Sequence, residues 1–357
     1  MIRLAVALLF LVSVVAAGVV DARQEPGGAL AAPSPATSPA TTAPATPAAA
    51  PTVPGGEPPP ATAAPATEPP ASAPPATEPP LPPPAAVGPV KALVSPRGVV
   101  VPVTGRDGDA YRVTTPCGRP AVVAGGTPVT EAAVVLDAGH GGVEPGAVGP
   151  TGLAEKDLNL AVVGHAAAAL RAAGVSVVLT RTADYRITLA ARAAIVKALG
   201  PRAFVSVHHN AEPDGPRPGP GTETYYQVAS PESKRLSGLI YEEVVEALSR
   251  YPVAWVADTD AGAKYRRNVA GDDYYGILRL SRGTPASLAE LAFVSNPAEE
   301  ELLRRADVQK VEGEAVARGV LRFLTTRDPG SGFVEPYPRR SPAGSGGGGS
   351  NCVDPAL

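Results

Sequence analysis

The chain has 357 residues, 31 basic and 34 acidic side chains, and a formal net charge of −3. It carries no block of like charge, which excludes an electrostatic nucleic-acid-binding arm. The length would hold two ordinary domains, but the first quarter is crowded with proline and alanine and cannot build a core.

Residues 1–22 read as an export signal. Met1-Ile2-Arg3 is a short basic start, Leu4 to Val20 is an almost unbroken apolar run, and Val20-Asp21-Ala22 places a small residue at the cut. An uncleaved anchor is the alternative, because that run is marginal in length for a membrane span. Either way the remainder is expected beyond the cytoplasmic membrane, in the periplasm or cell wall. Residues 23–91 come next, rich in Pro, Ala and Thr, as in Pro54-Gly55-Gly56-Glu57-Pro58-Pro59-Pro60. Such a segment has too little apolar surface to offset its ordering entropy. At about 3.1 Å per residue it would reach on the order of 200 Å at most. It reads as a spacer into the wall, or as disorder without a selected length.

Residues 92–130 are predicted to be a small β-hairpin module. Val99-Val100-Val101, Tyr111-Arg112-Val113 and Ala121-Val122-Val123 look like short strands, and Arg106-Asp107-Gly108-Asp109 is a turn between the first two. The piece is too small for a core of its own, so it is expected to pack on the domain that begins near residue 131.

From 131 to 326 strands alternate with helices. Strands are predicted at 132–136, 175–180, 203–207, 222–227 and 286–294. Helices are predicted at 157–173, 189–199, 231–249 and 299–324. This pattern gives an α/β domain with a mixed, mostly parallel sheet flanked by helices on both faces. The tail, 327–357, holds Ser345-Gly346-Gly347-Gly348-Gly349-Ser350 and is expected to be flexible. The only two cysteines, Cys117 and Cys352, can form one disulfide in an oxidising compartment or stand as unpaired thiols. Neither lies in a CxxC pair, which argues against a thiolate metal site.

All four histidines lie between 140 and 209. His140, in Asp137-Ala138-Gly139-His140-Gly141-Gly142, and His208 each come directly after a predicted strand, at the end where ligands gather in open α/β sheets. Glu155 stands just before the helix expected from Asp157. Two His and one Glu form the ligand set of a catalytic zinc with one position left for water; alone the trio is a weak signal, since each residue can also be an ordinary loop polar group. Glu290 sits in the apolar strand Ala286-Ser287-Leu288-Ala289-Glu290-Leu291-Ala292-Phe293. A carboxylate there is costly unless paired or metal-associated, and burial would raise its pKa toward a range useful for proton transfer. The plainer reading is a strand-end Glu facing solvent.

Five blocks together resemble the zinc-dependent cell-wall amidases, the N-acetylmuramoyl-L-alanine amidase family. They are Gly139-His140-Gly141-Gly142 with Glu155-Lys156-Asp157-Leu158-Asn159-Leu160; Leu179-Thr180-Arg181 with Asp184; Ser206-Val207-His208-His209-Asn210-Ala211; Gly221-Thr222-Glu223-Thr224-Tyr225-Tyr226; and Pro285 to Asn296. They occur in order across about 131–325. The resemblance implies one zinc ion per catalytic domain held by His140, Glu155 and His208, with Glu290 as the catalytic carboxylate and Asn210 as a candidate substrate contact. It implies action on peptidoglycan and muramyl peptides, with a protein activator as a possible partner and no nucleic acid; a monomer is the default. His209 is expected to pack or orient, His165 to be structural, and Arg181 and Arg192 to be ion partners. Glu212 to Pro220 is too rich in Pro and Gly for an inhibitory helix, so an open site is expected, and Asp258 to Arg282, with Lys264, Arg266 and Arg267, is the candidate flap or wall-binding edge. A zinc carboxypeptidase on the stem peptide and a catalytically silent wall-binding module are the rival readings.

Overall fold

The structure is a computed structural model describing residues 88–336 and 351–357. The expected export segment 1–22, nearly all of the linker 23–91, and the glycine run 345–350 lie outside the described residues.

Five short strands come first: β1 (Ala92–Val94), β2 (Val100–Asp107), β3 (Ala110–Thr114), β4 (Pro120–Val123) and β5 (Thr127–Val129). They form an antiparallel sheet in the order β4-β3-β2-β1-β5. Sequence patterning found only the middle three, because β1 and β5 are three residues long and show no alternation. The β2–β3 turn is Gly108-Asp109, with Gly108 at φ 56°. This sheet does not keep its apolar side chains to itself. Ala92 and Val100 pack with Val135, Ile187, Ile195 and Phe204.

The larger domain runs β6 (Val134–Ala138), α1 (Glu155–Ala172), β7 (Val177–Leu179), α2 (Leu189–Leu199), β8 (Ala203–Asn210), β9 (Gly215–Pro216), β10 (Glu223–Tyr226), α3 (Pro231–Leu248), β11 (Val256–Ala257), β12 (Ala263–Lys264), α4 (Gly276–Leu280), β13 (Ala286–Phe293), α5 (Pro297–Leu303) and α6 (Ala306–Thr325). Its six-stranded sheet has the order β12-β10-β13-β8-β6-β7. Strands β13, β8, β6 and β7 are mutually parallel, and β10 runs antiparallel to β13. The sheet is therefore mixed and mostly parallel, with helices on both faces.

The strand period of two sorts side chains between those faces. Leu136, Val205 and Val207 join α1, α3 and α6 in one cluster. Val135, Phe204 and Leu288 join α2 and α4 in the other. Coverage on both sides is why β8 and β13 read as nearly continuous apolar runs. Helix α2 starts where Thr188 accepts from Ala191 N and stops where Gly200 turns left-handed at φ 60°.

Two expectations change. The predicted helix 299–324 is two helices, broken at Arg304-Arg305, where Arg305 takes an extended conformation. The Glu300 carboxylate accepts from the amides of Thr151 and Leu153 and from Arg304, which ties α5 to the loop before α1. The first part of the tail is also seated rather than free. Ala263 N donates to Gly332 O and Val334 N to Ala263 O, so this segment adds to the sheet edge at β12, and Phe333 packs edge-on to Tyr226. At residues 351–357, Cys352 is disulfide-bonded to Cys117, Asp354 accepts from Cys117 N and pairs with Arg119, and Leu357 packs on the small sheet's core. Among the described residues no helix is long and apolar enough to cross a membrane.

Candidate active site at the strand ends

His140 and His208 stand at the carboxyl ends of the adjacent parallel strands β6 and β8. Glu155 arrives from the other side, as the first residue of α1; the helix starts there, two residues earlier than the sequence suggests. The carboxylate reaches both rings, with Oε2 3.2 Å from His140 Nε2 and Oε1 2.9 Å from His208 Nδ1. The two rings lie edge to face, centroids 4.9 Å apart. One ligating atom from each residue falls within 4.8 Å of the others.

Local sequence makes this convergence possible. His140 adopts a left-handed conformation, φ 61°, rare and strained for a non-glycine residue. Gly139 has no room for a Cβ, which would overlap the His208 ring. Gly146 at φ 72° is as tight, against Glu155 and His140. Two guanidinium groups hold the loop from beneath. Arg192 pairs with Asp137 and donates to Ala138 O and His140 O. Arg181 donates to Ala138 O, Gly139 O and Lys156 O. Arg192 is thus the expected ion partner, whereas Arg181 serves backbone carbonyls. Lys156 closes the glycine turn by bonding Gly142 O and Asp184.

Charge in the cluster is set by these contacts. Burial opposes ionisation of Glu155, but hydrogen bonds from His140 and His208 outweigh it and hold the carboxyl well below the usual range. Burial pushes the His208 pKa down against the pull of Glu155, favouring the neutral imidazole that ligates metals.

Glu290 lies on β13, in register with His208 on β8 and with Glu223 on β10. Its Oε2 is buried without a hydrogen-bond partner. Burial, then the nearby carboxylates of Glu155, Glu223 and Asp258, push its pKa well above the ordinary value. Beside the histidines opens a cavity of about 310 Å³ whose apolar wall includes Ile187, Leu189, Tyr274, Tyr275, Ile277 and Leu288. A unit charge at Glu290 in such surroundings is costly unless a cation stands near. Two imidazole nitrogens, one carboxylate oxygen and an unsatisfied acidic neighbour are the donor set and partner a catalytic zinc requires, so the residues fit that ion.

The family model described as N-acetylmuramoyl-L-alanine amidase matches residues 134–322. The chain belongs to that family. It is a hydrolase of the amidase class, with peptidoglycan as its substrate class. The Bacillus subtilis protein YqiI, itself uncharacterized, is 34% identical over 195 residues, which span 54% of this chain and 85% of that one. The N-acetylmuramoyl-L-alanine amidase AmiC of Neisseria meningitidis is 27% identical over 223 residues, 54% of this chain and 53% of its own length. Among solved structures, the amidase AmiC2 of Nostoc punctiforme has 31% identity and a TM-score of 0.45, covering 54% of this chain and 96% of that one.

The other residues expected at the site of this amidase are held within the protein. Asn210 donates to Glu223 Oε2, and its oxygen accepts from Ala211 N, so both ends of its amide are engaged. Lys264 is not on a mobile edge: it is 1% exposed, and its ammonium lies 2.5 Å from Glu223 and 2.6 Å from Asp260. Glu223, Asp258 and Asp260 cluster closely enough to suggest a second metal site, but the ammonium already lies within hydrogen-bonding distance of two of the three. Arg266 and Arg267 stack on Tyr274 and Tyr265 within the 258–282 segment, and Asp273 accepts from Val228 N outside it. Between Ala211 and Gly221 there is no helix; the short strand β9 pairs with β11 instead. His165 is within α1. Sequence reasoning missed the support given by Lys156 and Glu223, whose partners lie in other elements.

Proposed function

We propose that this chain is a zinc-dependent N-acetylmuramoyl-L-alanine amidase, cleaving the amide between the lactyl group of N-acetylmuramic acid and the L-alanine of the stem peptide. The observation that carries this is the register of β8 and β13, which brings the unpartnered Glu290 beside His208. His140, Glu155 and His208 would hold the ion. When bound, zinc supplies Lewis acidity to a carbonyl and makes water acidic near neutral pH. Glu290 accepts a proton from the attacking water on its carboxylate as the oxygen bonds to the scissile carbon. It returns that proton to the alanine nitrogen as the C–N bond breaks, leaving a lactyl carboxylate and a free amine. Two features serve this role. Burial excludes competing water from Oε2, and no hydrogen bond ties that oxygen to another group. His140 and Glu155 are steadied by the Arg192 and Gly146 contacts described above, so ligand geometry is set before substrate arrives.

The Cys117–Cys352 bond supports export to an oxidising compartment, in keeping with the apolar start of the chain. Product analysis by mass spectrometry tests the reading. The full chain is incubated with muramyl peptides, once with zinc and once with chelator. Zinc-dependent release of an intact stem peptide with a free L-alanine amine is the expected result. Release of single terminal amino acids would move the assignment to a carboxypeptidase. Bound zinc without any product would indicate an activating partner protein or a wall-binding role.

A further inference from the structure

We propose that His209 and Glu312 position the metal ligand Glu155, acting through Asn159 from the face of the sheet opposite the cavity. The inference rests on the reading of His140, Glu155 and His208 as zinc ligands.

His209 comes directly after His208 on β8, so the strand alternation sends it to the other face, between α1 and α6. There its side chain is fully buried, as is that of Glu312 from α6. His209 Nδ1 lies 2.8 Å from Asn159 Oδ1, and Nε2 lies 3.3 Å from Glu312 Oε1. Asn159, in α1, is also fully buried. Its amide nitrogen donates to Glu155 Oε1 at 3.2 Å and to Gly139 O at 3.3 Å. The His209 backbone N–H donates to the same Glu155 oxygen at 3.2 Å. A continuous path therefore runs from Glu312 through His209 and Asn159 to Glu155, and a branch reaches the carbonyl before His140.

Donor and acceptor roles along this path are forced. Glu155 Oε1 and Gly139 O only accept, so Asn159 must turn its NH₂ toward them. Its Oδ1 then faces His209, so Nδ1 must carry a proton. Without that donor the buried Asn159 Oδ1 would lose its partner, and the amide would be held only from the side of Glu155 and Gly139. Glu312 at Nε2 fixes the ring that supplies the donor.

The packing shows why a polar pair stands there. Val162 and Ala166 of α1 and Val308, Ala315 and Val316 of α6 belong to one buried apolar cluster, and Gly313 lets α6 approach the α1 backbone without a Cβ. Glu312 Oε2 remains without a hydrogen-bond partner, and the Glu299 carboxyl is near enough to feel its charge. Apolar side chains would fill the space at lower cost. What they could not do is supply a hydrogen bond to the buried Asn159 Oδ1 and so brace the amide that holds Glu155.

The test measures metal binding rather than turnover. Metal-free full-length protein is titrated with zinc in competition with a chromophoric chelator, and its cobalt(II) form is examined by visible absorption. His209→Phe keeps a planar ring but removes the donor; Glu312→Leu removes the anchor at Nε2. Both are expected to weaken zinc binding by about 10- to 100-fold and to shift the cobalt bands. Glu312→Gln, whose amide keeps a hydrogen-bonding group at Nε2, is expected to retain affinity and spectrum. Wild-type affinity and spectrum in folded His209→Phe would overturn the inference. Should that variant not fold, Glu312→Leu decides in the same way against Glu312→Gln. A wild-type chain that binds no zinc would sink the zinc reading along with the inference, whereas a zinc-binding wild type with unaffected variants would sink the inference alone.

Discussion

Replacing Glu290 by glutamine should move activity and stability in opposite directions. The side chain keeps its size but can no longer accept and return a proton. General acid–base groups contribute about 10²- to 10⁴-fold, which is about 3–5 kcal/mol of barrier. Zinc binding should persist, because Glu290 is not among the three clustered ligating residues. Stability is set by the neighbours. Burial and the carboxylates of Glu155, Glu223 and Asp258 raise the folded-state pKa of Glu290, so its neutral form stabilises the metal-free fold at acid pH. That contribution is fully present below the unfolded value of about 4.3 and is lost as pH rises through the folded one. Glu290→Gln removes the loss. Urea denaturation in the presence of chelator, from about pH 4 to about pH 8, should show the variant gaining on the wild type as pH increases. Turnover on muramyl peptides with zinc is measured alongside. Wild-type turnover in Glu290→Gln would falsify the assignment of the base. A variant that loses stability relative to wild type toward alkaline pH would refute the electrostatic argument.

Three further outcomes are expected. Gly139→Ala places a Cβ against the His208 ring, so zinc affinity should fall by at least about tenfold, the low end for disturbed metal surroundings; isothermal titration reads this, and unchanged affinity would show that the loop yields freely. Lys264→Met leaves Glu223 and Asp260 without their shared ammonium and should cost about 3–5 kcal/mol in urea denaturation at neutral pH, with a loss below about 1 kcal/mol contradicting the buried pairing. Reducing Cys117–Cys352, which spans 235 residues, should lower the unfolding free energy by about 2–5 kcal/mol in denaturant titrations with and without a dithiol; equal midpoints would mean that the clasp contributes nothing to the folded state.

The sheet was legible because its strands are buried on both faces, which leaves apolar runs such as Phe204 to Val207 and Leu291 to Val294 in plain view. Helix α2 was legible to its ends because Thr188 and Gly200 punctuate it. His140, His208 and Glu290 stood out through their place after or within those strands and Glu155 through its place before a helix, and the ordered family blocks narrowed their roles. The features that stayed hidden have a common cause. Strand β1 is fixed by pairing with β2 and β5, and β5 by pairing with β1, not by their own pattern. The break between α5 and α6 depends on Glu300 reaching back to Thr151 and Leu153. Lys264 looked like a surface cation because nothing within its own segment reveals Glu223 across the sheet. The same holds for Glu312, which a helical wheel would mark only as an odd charge on an apolar stripe.

These long-range contacts also explain how a small sheet and a distant tail bear on the chemistry. Pro116, next to Cys117, accepts at its carbonyl from both the amide and the hydroxyl of Thr188. Thr188 caps α2, and α2 carries Arg192, whose guanidinium holds the carbonyls of Ala138 and His140. The clasp at Cys352 therefore fixes one end of a hydrogen-bonded path whose other end is the loop that carries His140. His140 needs such support, since its left-handed backbone is strained by about 1–3 kcal/mol and would relax if the loop were free. Stability supplied far from the site, by the disulfide and by the buried ion pair beneath the loop, offsets the strain at His140 and the crowding of carboxylates within it.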